Sequence, residues 1–117
     1  VKQEQMAYRV VNTSTERFIR ATYLKHQLRC SHNEDENLMN CFKVLESVSI
    51  PQGAVIDANK IHYTQYQLVM ESKERSYYIK PYFSNQIFKI KLTEDLLSKN
   101  EMTFLPINHE LKITSIQ

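Results

Sequence analysis

Two cysteines and four histidines are the side chains here best equipped for chemistry, and their spacing limits what that chemistry can be. Cys30 and Cys41 bracket the segment CSHNEDENLMNC. A thiol becomes a nucleophile when a base or a positive environment holds it as the thiolate. Either cysteine could pair with His62 or His109 across the fold, but no catalytic signature surrounds them. His26, His32, His62 and His109 fall into none of the paired short spacings of zinc sites. His32, between Cys30 and the carboxylates Glu34, Asp35 and Glu36, is the single cluster with a metal-like donor set, and it lacks a second short-spaced pair. Glu94 and Asp95 are explained by a helix start and Asp57 by a turn. The lone glycine, Gly53, excludes phosphate-cradling loops, dinucleotide fingerprints and nucleophile elbows, each of which needs several glycines. The chain is therefore expected to be no enzyme and to use no metal and no cofactor.

The alternative use for two cysteines is a bridge. An even count at short spacing fits one Cys30–Cys41 disulfide, which would stabilise by about 2 to 3 kcal/mol in the chain-entropy model. A bridge implies an oxidising, extracytoplasmic compartment, periplasmic or secreted. The opening VKQEQ starts without Met and lacks the basic-then-apolar order of a signal peptide, so a segment is expected upstream: a cleaved signal or an excised membrane anchor, which imply export, or a trimmed cytosolic stretch, which does not.

With 117 residues, 42% of them hydrophobic and 24% charged, the chain suits one soluble domain with one core, and no window is apolar enough to span a bilayer. The formal charge of +2 is too small to argue for nucleic acid.

The elements that would position these groups can be read from periodicity. Met6, Tyr8 and Val10 alternate as in a strand. Thr13 and Glu16 form a capping box, so a helix should begin near Ser14, with Phe18, Ala21, Leu24 and Leu28 inward and Arg17, Arg20 and Gln27 on the wet side. Residues 38–50 fit two templates: Leu38, Cys41, Phe42 and Leu45 match a helix, whereas Phe42, Val44, Val48 and Ile50 match a strand. A disulfide needs α-carbons within roughly 7 Å, and a helix would carry Cys41 too far from Cys30, so the bridge, if present, favours a strand.

From Ile61 onward the pattern is strand-like. Tyr66, Leu68 and Met70 alternate; a turn at Ser72 to Arg75 leads to Tyr77, Ile79 and Pro81; then Phe88, Ile90 and Leu92 follow. Thr93 should cap the short helix TEDLLSKN. Two more strands are expected at Met102 to Leu105 and His109 to Ile116. Short polar links make consecutive strands antiparallel. The expected class is α+β: an N-terminal helix packed on an antiparallel sheet of about five to seven strands, curled toward a partly open barrel or left flat.

Tyr78, Lys80 and Tyr82 share a strand face, with Lys89 and Lys91 on the neighbouring strand. Interleaved aromatics and lysines can stack on and neutralise a nucleic acid. The RNA-recognition signature is absent, and an ordinary solvated face explains the row; with the terminal strand around Leu111 and Ile113 it is also the candidate surface for a protein partner, in a homodimer or heterodimer, or for an anionic ligand. If the sheet curls, its apolar residues would line a cavity for a small amphipathic ligand.

In overall plan, with an N-terminal helix, a two-cysteine loop and a following sheet, the chain resembles the periplasmic partner domains of ToxR-type membrane-bound regulators and the head domains of minor pilins. The resemblance implies a non-enzymatic extracytoplasmic interaction domain in signal transduction, or else a structural pilus subunit. Free thiols would favour a cytosolic interaction or immunity-type module.

Overall fold

The computed structural model describes residues 13–117; the strand expected at Met6 to Val10 lies outside them. Two compact units divide the chain after Thr64.

In the first unit, helix α1 (Ser14–Gln27) starts as the capping box dictates, with Thr13 Oγ1 accepting the Glu16 N–H at 3.2 Å. Helix α2 (Glu34–Ser47) is capped by Asn33, whose Oδ1 accepts from the N–H groups of Asp35 and Glu36. Three carboxylates in its first turn suit the positive end of the helix dipole. The connecting loop is tied to this turn: Asn37 bonds the Ser31 backbone in both directions, at 2.9 and 2.8 Å. Residues 38–47 are thus helical. The strand reading rested on a bridge that does not form.

Helix α1 packs on α2, with Ala21 and Leu24 half-buried as their spacing predicts. Arg17 and Arg20 face inward and bond carbonyls at the end of α2, while Phe18 is 71% exposed. The open carbonyls of a helix C-terminus and its negative dipole end draw the guanidinium groups in.

A hairpin of β1 (Val55–Asp57) and β2 (Lys60–His62) follows, pairing Ile56 with Ile61. Its two turn residues, Ala58 and Asn59, have φ of 48° and 63°, as a type I′ turn requires. Ile50 and Thr64 close its base: the Thr64 N–H donates to the Ile50 carbonyl, and the Ile50 N–H donates to Thr64 Oγ1.

The second unit holds an antiparallel sheet of β3 (Tyr66–Glu71), β4 (Ser76–Pro81) and β5 (Phe88–Lys91), in that order, then the short helix α3 (Glu94–Leu97) capped by Thr93. The Glu71 carboxylate accepts from the N–H groups of Lys73 and Glu74, which fixes the β3–β4 turn.

The class is α+β with antiparallel sheet, as expected. The described strands number five, split between a two-stranded and a three-stranded sheet, and neither closes into a barrel. The strands expected at 102–105 and 109–116 do not form. No backbone ladder from the described residues reaches that segment; side-chain amides hold it instead, with Asn85 bonding Lys112 and Gln86 bonding the Glu110 carbonyl. Phe42, 5% exposed, is the one buried large hydrophobe among the described residues.

Candidate functional site

Cys30 follows α1 and is exposed, Cys41 lies on α2 half-buried, and both are free. The expected disulfide is corrected on the same geometry that predicted its cost: two turns of helix separate Cys41 from the loop that carries Cys30. Neither thiol is hydrogen-bonded to an imidazole among the described residues. The acidic cluster around His32 is helix-capping structure. Glu36 accepts from Ser31 Oγ at 2.5 Å, and no group of three metal-binding side chains converges among the described residues.

The expected partner surface is brought together on the three-stranded sheet. Tyr78 and Lys89 are direct cross-strand partners, with the Lys89 ammonium 5.6 Å from the Tyr78 ring centroid and 3.8 Å from the Glu74 carboxylate. Lys80 pairs with Gln67 and Lys91 with Ser76 on the same face. Tyr82 lies just past β4, its ring edge-on to Phe83 with centroids 4.9 Å apart. Leu111 and Ile113 are exposed on the irregular C-terminal segment, not on a strand.

The sheet register sorts two chemically distinct faces. One carries Gln67, Val69 and Glu71 beside Ser76, Tyr78 and Lys80; the other carries Tyr66, Leu68 and Met70 beside Tyr77, Ile79 and Pro81. On β3 the burial is inverted: the mostly polar row is half-buried and the apolar row is exposed. Ser76 is only 2% exposed, and its Oγ has no hydrogen-bond partner among the described residues.

Residues 11–105 match the linear amide C–N hydrolases of the choloylglycine hydrolase family. The chain belongs to that family. A solved structure of a mutant conjugated bile acid hydrolase from Clostridium perfringens superposes with a TM-score of 0.74 at 26% identity, over 91% of this chain and 32% of the hydrolase. Penicillin V acylase from Agrobacterium tumefaciens shares the fold, with a TM-score of 0.62 at 24% identity, over 85% of this chain and 36% of the acylase. This choloylglycine-hydrolase chain thus spans about a third of the length of each solved relative.

Membership overturns the expectation of a non-enzymatic interaction domain, and with it the likeness to regulator partners and pilins: the family and both solved relatives are amide hydrolases or acylases. The chain offers no local motif from which this was readable. The residues that sequence reasoning missed, Arg17 and Arg20 as a helix clamp and Asn85 as an anchor, carried one usable signal, two arginines one helical turn apart preceding a second helix.

Proposed function

We propose that this chain is part of an enzyme that hydrolyses a linear amide C–N bond, and that it supplies framework rather than the nucleophile. The observation that carries the reading is the family match over residues 11–105. Amide hydrolysis needs an activated nucleophile, donors for the tetrahedral oxyanion and a proton for the departing amine. The two thiols described above stand without a hydrogen-bonded base, so the nucleophile is assigned to the part of the hydrolase beyond these residues. What this chain contributes is a clamped helix pair and a three-stranded sheet that hold other elements in place. The substrate class follows the named relatives: a linear amide such as that of a conjugated bile acid or of penicillin V.

The test is amine release from glycocholate, taurocholate and penicillin V, measured on the polypeptide encoded by this sequence together with its contiguous coding sequence. Turnover of at least one amide is expected, and Cys30→Ala and Cys41→Ala should both retain it. Loss of turnover in either variant would refute the assignment of roles. No hydrolysis of any of the three amides would refute the proposed activity.

A further inference from the structure

We draw no further inference here: the strongest candidate, the face of the three-stranded sheet bearing Tyr78, Lys80, Lys89 and Lys91, carries nothing because Glu71 shares that face, Glu74 already pairs with Lys89, and nothing in the structure shows what covers it.

Discussion

Arg17 donates from Nε to the Val48 carbonyl at 2.8 Å, so a cation on the first helix closes the C-terminal end of the second. Arg20, one turn later, donates from Nη1 to the Ser47 carbonyl at 2.9 Å. Helix α2 has no basic residue in its own last turn, and its terminal carbonyls are part-buried. The clamp therefore does from outside what a Lys or Arg near the helix end does from within.

Removing it should be costly. A hydrogen bond from a charged donor is worth about 1.5 to 3 kcal/mol when its loss leaves the acceptor unpaired, so Arg17→Ala should lower the urea midpoint with little change in slope. Arg17→Lys should recover part of the loss, since a lysine keeps the charge near the dipole without the planar donor. Equal stability of Arg17→Ala and the parent chain would remove the clamp from the account of the helix pair.

The fate of residues 38–50 explains how much of the fold was legible. Thr13 with Glu16, the alternation of Tyr66, Leu68 and Met70, and Thr93 ahead of an acidic turn each encode a local structure by short-range bonding, and each was readable in place. The segment around Cys41 matched two periods at once and stayed open between them, leaning to a strand only if a bridge existed, and both thiols are free. On α1, Ala21 and Leu24 are half-buried as expected, and only the place of Phe18, Arg17 and Arg20 was misread, for a related reason. Apolar spacing locates an amphipathic stripe, but Arg17 and Arg20 are drawn inward by a partner helix that only tertiary structure supplies. The tail failed because alternation at Leu111 and Ile113 shows what a strand needs, and no backbone edge among the described residues stands beside it. Function was illegible because the family shows itself as a match over residues 11–105, and the sequence reading recognised no short motif within that range.

Cysteine chemistry gives a second check. The unfolded, unreduced protein should label at two thiols, and in the native protein Cys30, which is exposed, should react faster than the half-buried Cys41. Mild oxidation should yield no internal cross-link, because bridging requires α-carbons within roughly 7 Å and α2 would have to unwind. Mass spectrometry of non-reduced peptides decides it; a Cys30–Cys41 bridged peptide would contradict the helix at Cys41.

The hairpin turn stores strain at one position. Ala58 takes a φ of 48° with a side chain that the left-handed region penalises by roughly 1 to 2 kcal/mol. Asn tolerates that region through local hydrogen bonding, so Ala58→Asn should stabilise by about 0.5 to 1 kcal/mol, whereas Ala58→Val should destabilise by at least as much. Thermal melts of the two variants should move in opposite directions, and movement in the same direction would refute the turn assignment.

Asn85 sets the last prediction. Its Nδ2 donates to the Lys112 carbonyl at 2.6 Å and its Oδ1 accepts the Lys112 N–H at 3.0 Å, so one amide side chain imitates a strand's pair of ladder bonds. Gln86 adds a single bond to the Glu110 carbonyl at 3.2 Å. Among the described residues little else holds the segment: Ile113 is 82% exposed and no helix or strand follows Leu97. Each exposed neutral bond is worth about 0.5 to 1.5 kcal/mol net, so losing two should release the tail while leaving the sheet intact. Asn85→Ala is expected to speed proteolytic cleavage between Asn108 and Lys112 several-fold without changing the midpoint of global unfolding. Asn85→Asp should act similarly, because a carboxylate keeps the acceptor for the Lys112 N–H but turns a repelling oxygen toward its carbonyl. Unchanged cleavage in both variants would show that the two amide bonds do not hold the tail, and would return its placement to the exposed apolar side chains.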